Sequence, residues 1–186
     1  LNFYLNSSHP NSVKFDSKLN KKDFRVLKWG KNNLQKINSS FVYTPYEYGK
    51  PMRNIIVGPA NPDFTPINEI SPYLKNALLT AEDPSFYSHK GFVSESIRKS
   101  IATNFKEKAF KRGGSTISMQ LVKNVYLSRQ KTVARKIEEI LIVWIIENGH
   151  LSAKQRMFEV YLNLIEWGRN IYGIGEASRF YFGKHP

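Results

Sequence analysis

The sequence predicts a mainly α-helical domain that follows a smaller segment with short strands. From residue 67 onward, apolar residues recur at intervals of three and four, which is typical of amphipathic helices. Residues 1–66 instead hold short apolar runs that are broken by Gly, Asn and Pro. The chain has 186 residues, of which 41% are hydrophobic, and this is enough for one core. We therefore divide it into an N-terminal segment, 1–66, and a helical domain, 67–186.

The N-terminal segment is expected to form a small sheet or meander rather than a separate large domain. Residues 1–23 are polar and rich in Asn, Ser and Lys. Residues 24–29, 34–43 and 53–57 have the composition of short strands. Residues 58–66 contain three prolines, so they are predicted to be an extended linker into the helical domain.

The first predicted helix ends on a pair of carboxylates. Ser71 can cap it, and Pro72 suits its first turn. Pro84 ends it at Asp83, because a residue that precedes proline avoids helical geometry. Glu82 and Asp83 then oppose the helix macrodipole, which slightly favours a functional reason for them. Taken alone, the pair is equally well explained as two solvated acids at a helix end.

Three further helices are predicted from capping residues and apolar spacing. Ser94 can cap the second helix, and Ser115 or Thr116 can cap the third. The fourth, over 132–147, has apolar residues on all sides along part of its length, so it is expected to be the central buried helix. Its predicted inward residues are Val133, Ile137, Ile140, Leu141, Trp144 and Ile145.

The last two predicted helices follow the Asn-Gly pair at 148–149. Ser152 and Gln155 have the spacing of a capping box that opens one of them. Trp167 and Gly168 are expected to end that helix. Gly173 is expected to begin the last one.

The net charge of +13 predicts an anionic partner: nucleic acid, anionic lipid or a phosphorylated substrate. Nucleic acid is disfavoured, because the basic residues lie near hydroxyls and acids rather than among exposed aromatics. The absence of cysteine excludes disulfides and cysteine metal sites. No run of about 18 apolar residues predicts a membrane span in this chain. The sequence has neither zinc-site spacing nor a nucleotide-binding fingerprint, so no metal ligands are assigned.

Polar and charged residues recur around the starts of the third and fourth predicted helices. The Gly-Gly-Ser-Thr run at 113–116 offers backbone N–H groups and hydroxyls to an anion. The helix after it carries Gln120, Lys123 and Asn124 at neighbouring positions. An alternative is a pair of ordinary helices with solvated basic faces and an i, i+4 ion pair. The charged residues of the next helix start are Arg129, Lys131, Arg135, Lys136 and Glu139.

These motifs resemble those of the peptidoglycan glycosyltransferases (family 51), which form the transglycosylase domain of class A penicillin-binding proteins and the monofunctional transglycosylases. The resemblance covers about residues 67–184. The first family block is matched by Glu82, Asp83, Phe86, His89 and Gly91; the second by Gly113, Ser115, Thr116, Ile117, Gln120, Lys123 and Asn124; the third by Arg135, Lys136 and Glu139; the fourth by Tyr161, Leu162, Asn163, Trp167 and Gly168.

The resemblance implies a lysozyme-like lobe beside a smaller membrane-facing lobe, and an enzyme that polymerises lipid II with inversion and release of undecaprenyl diphosphate. It implies that Glu82 is the general base and that Glu139 is a second carboxylate, which positions the substrate or a metal at the diphosphate. Lys123, Lys131 and Arg129 would bind the diphosphate. The other implied substrate-binding residues are Asp83, Phe86, His89, Ser115, Thr116, Gln120, Asn124, Arg135 and Lys136.

No cofactor is implied, although a divalent cation, Mg or Mn, is compatible with the diphosphate. The implied partners are lipid II, the nascent glycan strand, an anionic membrane surface and a transpeptidase. The implied location is the outer face of the cytoplasmic membrane, with an anchor and a C-terminal tail outside this chain. We hypothesise that residues 1–66 are a membrane-proximal cap. The alternatives are a lysozyme-like enzyme that cleaves glycan and a non-catalytic wall-binding scaffold.

Overall fold

A computed structural model describes residues 2–5, 13–16, 33–47, 49–92, 115–127 and 133–186. The chain divides into two compact units. In the first, made of residues 1–33 and 93–114, strands β1 (Asn2–Leu5) and β2 (Val13–Asp16) pair antiparallel. Outside the described residues lie the predicted strand 24–29 and the predicted helix that Ser94 would cap. Arg129 and Lys131 also lie outside them.

The second unit, residues 34–92 and 115–186, contains the described α-helices. Three antiparallel strand pairs accompany them. The strand pairs are β3 (Phe41–Tyr43) with β6 (Ile55–Val57), β4 (Tyr46–Glu47) with β5 (Lys50–Pro51), and β7 (Glu166–Gly168) with β8 (Ile171–Tyr172). The helices are α1 (Pro72–Glu82), α2 (Ile117–Tyr126), α3 (Val133–Asn148), α4 (Lys154–Leu164) and α5 (Ile174–Phe182).

The core of the second unit is built around α4. From Met157 to Leu164 every residue except Glu159 is buried, so both sides of this part of the helix pack against other elements. Helices α2 and α5, strand β6 and a short 3-10 turn (Lys36–Asn38) all contact it. Residues 34–66 therefore belong to the same compact unit as the helices. The buried residues of α4 are Met157, Phe158, Val160, Tyr161, Leu162, Asn163 and Leu164.

The prediction that α3 is the central buried helix is wrong, although its extent agrees to one residue. Ile137 is 54% exposed and Leu141 is 43% exposed. The buried face instead contains Glu139, Val143 and Ile146. Because α3 carries apolar residues on opposite sides, its spacing alone could not identify the inner face. Glu139 therefore lies on the inward side, beside buried apolar residues, where its carboxylate is paired with Arg135 and Lys136.

Helix α1 confirms its predicted bounds. Ser71 occupies the N-cap position and Pro72 the first turn, although the Ser71 side chain makes no capping hydrogen bond. The helix ends at Glu82, and Asp83 is its C-cap. The extended conformation of Asp83 agrees with the restriction that Pro84 imposes on the residue before it.

The predicted ends of α4 are wrong. Its N-cap is Ala153, and Ser152 makes no capping hydrogen bond, so the capping box does not form. The helix stops at Leu164, and the Trp167–Gly168 pair that was expected to end it lies in β7 instead. The Gly173 prediction is confirmed: this residue is the N-cap of α5, with a positive φ of 83°.

The predicted strand over 34–43 is correct only at its end, where β3 begins at Phe41. Residues 36–38 form the 3-10 turn, in which Ile37 is fully buried. The strand prediction over 53–57 is confirmed at Ile55–Val57. In the described part of the chain, no helix combines the length and apolarity needed to cross a membrane.

Candidate active site

Glu82, at the C-terminal end of α1, borders a cavity of about 410 Å³ in the second unit. The cavity brings together side chains from α1, α2, α4 and the β7–β8 hairpin. Polar groups of several kinds meet the aromatic rings of Tyr43, Tyr161, Trp167 and Tyr172 there, which suits recognition of a sugar. The functional side chains on its wall are Glu82, Gln120, Asn124, Tyr161, Glu166 and Trp167.

The Glu82 carboxylate is held by a hydrogen bond from α2. Gln120 Nε2 donates to Glu82 Oε2 at 2.9 Å. Tyr161 Oη in turn donates to Gln120 Oε1 at 3.3 Å. Burial raises the pKa of Tyr161, and the negative charges of Glu82 and Asp83 raise it further, so the phenol stays protonated. Among the described residues, none donates a hydrogen bond to the second oxygen of Glu82.

Asp83 points the other way, into the protein, and is only 4% exposed. Its carboxylate oxygens lie 2.9 and 3.0 Å from His89 Nε2. Because His89 Nδ1 accepts from Gly91 N–H at 3.0 Å, Nε2 carries the proton that is donated to Asp83. Asp83 Oδ2 also accepts from the backbone N–H of Ile117, at 3.1 Å. His89, which the resemblance implies is a substrate-binding residue, thus fixes the loop between Asp83 and Gly91 in this geometry.

The helix start at Ser115–Thr116 was expected to offer its N–H groups to an anion from outside. In the structure, that anion is Asp83, which binds the first N–H of α2. Thr116 is the N-cap, as predicted, and its Oγ1 accepts from Met119 N–H at 3.2 Å. The same hydroxyl donates to Gly91 O at 2.5 Å. The Ile117 N–H and the Thr116 hydroxyl therefore hold the loop that follows Glu82.

Phe86 anchors this loop in the core. Its ring is fully buried and lies 5.6 Å from the ring of Phe158, between centroids. Lys154 Nζ lies 4.4 Å from the centroid of the Phe86 ring, a cation–π geometry. Lys154 also pairs with Glu147, which accepts from Ser118 at 2.6 Å. Phe86 is thus a packing residue that fixes the backbone next to the carboxylates.

Glu139 is 1% exposed and is neutralised by two cations of its own helix. Arg135 Nη1 lies 3.1 Å from Glu139 Oε2, which confirms the predicted i, i+4 pair. Lys136 pairs with the other oxygen, and its Nζ lies 3.5 Å from Ser115 Oγ. Both carboxylate oxygens are therefore occupied, and Glu139 does not line the Glu82 cavity. Its geometry is that of a residue that orients Arg135 and Lys136.

The predicted diphosphate-binding residues are placed only in part. Lys123 is exposed on α2, three residues after Gln120, and Asn124 lines the cavity itself. Residues three or four apart share one side of a helix, so Lys123 and Gln120 are neighbours. Within the described parts of the chain, no group of three or more His, Asp or Glu side chains could hold a metal ion.

Glu166, which no sequence motif assigned to the site, lies on the cavity wall. The Glu166 side chain is exposed. Together with Trp167 and Glu47 it also lines a second, open cavity of about 560 Å³. The only sequence signal for this was its position beside the aromatic-Gly pair of the fourth block. The β7–β8 hairpin, which no local pattern predicted, brings it to the cavity.

Known proteins have sequences similar to this chain. The chain is 46% identical over 119 residues to a biosynthetic peptidoglycan transglycosylase of Dechloromonas aromatica (strain RCB), covering 64% of this chain and 51% of the relative. It is 45% identical over 119 residues to the protein of the same name from Chromobacterium violaceum, with the same two coverages. The chain thus spans about half the length of the curated relatives it matches.

A family comparison covers more of the chain. The Transgly family, described as Transglycosylase, matches residues 48–186. The matched range includes Glu82, Gln120, Glu139 and Tyr161, together with all five described helices. The match covers more than half of the residues of this chain and includes the acids and amides just described. The chain therefore belongs to the Transglycosylase family.

Proposed function

We propose that the protein is a peptidoglycan glycosyltransferase that polymerises lipid II into glycan strands. The observation that carries this proposal is the exposed Glu82 carboxylate in a cavity walled by amides and a tryptophan. A general base needs an oxygen that can reach the proton it removes, and the Glu82 carboxylate is exposed on the cavity wall. Family membership supports the same reaction class.

In the proposed reaction, Glu82 takes the proton of the 4-hydroxyl of the acceptor sugar. The hydroxyl oxygen forms a bond to the anomeric carbon of the donor as the bond from that carbon to the diphosphate oxygen breaks. Undecaprenyl diphosphate leaves with the bonding electrons, and the anomeric centre inverts. Lys123, with Lys131 and Arg129, stabilises the negative charge that develops on the leaving group.

Glu139 supports this reaction without touching the sugar. Its occupied oxygens make it a poor ligand for a divalent cation, so no step is assigned to a metal there. By holding Arg135 and Lys136, it orders two cations at the start of α3, where Lys136 reaches Ser115. No cofactor is required by the proposed step, and a Mg or Mn ion at the diphosphate would need other ligands.

The proposed location follows from the substrate. Lipid II is embedded in a membrane, so the enzyme would act in the cell envelope, at the outer face of the cytoplasmic membrane. The net charge of +13 suits an anionic bilayer and a diphosphate substrate. A transpeptidase that cross-links the new strand is the protein partner that this chemistry implies.

The test uses purified protein, labelled lipid II and the variant Glu82→Gln. An amide cannot accept the proton, so we expect polymerisation to fall by about 100-fold or more. Glu69→Gln is the matched control, because Glu69 is exposed and outside the cavity. Intact lipid II after incubation with the unaltered protein would contradict the proposal. Equal activity of both variants would contradict the role of Glu82.

The two alternatives predict different results. A lysozyme-like enzyme would cleave polymeric wall and would not need a cation for a leaving diphosphate, so Lys123→Ala would leave its activity intact. A synthase loses activity in that variant, whereas Lys50→Ala, on an exposed strand, keeps it. A scaffold would keep its function in Glu82→Gln.

A further inference from the structure

The position of the Glu82 side chain is not determined by packing. No residue of α1 is buried, and Glu82 is exposed at the end of that helix. An exposed glutamate samples several rotamers, so its carboxylate spends part of its time away from any one substrate atom. Whatever holds the carboxylate must therefore act through its polar atoms.

Gln120 supplies that contact, and chemistry allows it only one orientation. A carboxylate accepts hydrogen bonds but cannot donate them, so the amide nitrogen of Gln120 must face Glu82. The amide oxygen then faces the opposite side, where Tyr161 donates to it at 3.3 Å. Hydrogen bonds in such a chain polarise one another, so donation from Tyr161 strengthens donation to Glu82.

Tyr161 is the rigid end of this chain. It is 2% exposed, and its ring stacks on fully buried Phe158 with centroids 6.4 Å apart and planes 16° apart. Its pKa is raised by burial and by the charges of Glu82 and Asp83, so the hydroxyl remains a donor at neutral pH. The chain of contacts thus connects the buried core of α4 to an exposed carboxylate on α1.

We infer that Tyr161 is a positioning residue that orients the general base Glu82 through the side-chain amide of Gln120. The inference rests on the proposed function, since Glu82 is the base only in that reaction. It assigns Tyr161 a role in turnover although the ring itself is a core residue. If Tyr161 acts only through Gln120, its hydroxyl has no effect on turnover once the amide is absent.

A double-mutant cycle on lipid II polymerisation tests this, with kcat and KM measured for each variant. We expect Tyr161→Phe to lower kcat about fivefold, as for loss of one neutral hydrogen bond. We expect Gln120→Ala to lower it about 30-fold, as for loss of a bond to a charged group. In the Gln120→Ala background, Tyr161→Phe should lower kcat less than twofold, because coupled residues are not additive.

Tyr126→Phe is the matched control. It removes the same atom from a half-buried tyrosine whose hydroxyl donates to Leu34 O at 2.7 Å, and Tyr126 does not line the cavity. It should leave kcat unchanged, and circular dichroism should show all variants folded. The inference is overturned if Tyr161→Phe lowers kcat by the same factor with and without Gln120. It is also overturned if Tyr161→Phe lowers kcat no more than Tyr126→Phe does. Neither result affects the proposed function. Failure of the unaltered protein to polymerise lipid II overturns the proposed function instead.

Discussion

Gly91 shows how one residue fixes the loop beside the carboxylates. Its φ is +92°, a conformation that costs an L side chain about 1 kcal/mol or more. A Cβ added there would overlap Val143 Cγ1 and lie 3.0 Å from Glu147 Cγ. The loop therefore approaches α3 as closely as it does because position 91 has no side chain.

We predict that Gly91→Ala lowers the free energy of unfolding by about 2–4 kcal/mol, since backbone strain and overpacking add. Gly49→Ala separates the two causes: Gly49 has a φ of +79° but nothing within 4 Å of the added Cβ. That control should cost only about 1 kcal/mol. Urea unfolding measures both values. Equal losses would mean that crowding against Val143 and Glu147 contributes nothing.

Individual contacts of the site were predictable when both partners lie within one helical turn. Arg135 and Glu139 pair because they are four residues apart on α3, and Thr116 caps the helix that starts at the next residue. The contact of Asp83 with Ile117 N–H spans 34 positions in the sequence, and no local pattern indicates it. The sequence thus indicated the chemical groups of the site but not which of them point inward.

Helix α2 is held at both ends by charged side chains from distant segments. Asp83 binds the N–H of Ile117 at its N-terminus. Lys36 Nζ donates to Val125 O at 2.8 Å near its C-terminus, and lies 4.8 Å from the Tyr126 ring centroid. An anion at the start and a cation at the end both complement the helix macrodipole. The helix that carries Gln120 is therefore fixed along its axis.

We predict that Lys36→Met lowers the free energy of unfolding by about 1–2 kcal/mol, because it removes a charged hydrogen bond to the end of α2 while keeping the apolar stem. Lys50→Met is the matched control, since Lys50 lies exposed on β5 and should be neutral within about 0.5 kcal/mol. Thermal unfolding compares the two. An unchanged midpoint for Lys36→Met would show that the Lys36 side chain does not stabilise α2.

Elements were predictable where their ends carry a strong local signal and their apolar residues occupy one side. Pro84 ends α1, and Gly173 begins α5. Helix α3 has apolar residues on both sides, and its inner face carries Glu139, a charged residue that local patterns place on the surface and that is buried here with its partners on the same helix. The sequence of the β7–β8 hairpin resembled a helix end because its aromatic-Gly pair suits either structure.

The whole molecule carries a net charge of +13, and its basic residues are unevenly spaced along the chain. At physiological salt, charges separated by more than about 8 Å are largely screened, so a dense cluster attracts an anionic surface more strongly than scattered lysines do. Each basic residue close to an anionic bilayer contributes about 1 kcal/mol. The densest cluster, within 106–114, lies outside the described residues and comprises Lys106, Lys108, Lys111 and Arg112.

We predict that binding to vesicles with phosphatidylglycerol weakens at least about tenfold between 50 and 300 mM NaCl, and that purely zwitterionic vesicles bind much less. Two triple variants with the same charge change test the cluster in a co-sedimentation assay. Changing Lys106, Lys108 and Lys111 to Gln should weaken binding more than changing the scattered Lys50, Lys90 and Lys184. Equal losses would show that only net charge matters. Binding that is insensitive to salt would instead identify apolar contact as the main attraction, with exposed Phe180 and Phe182 as the first side chains to replace.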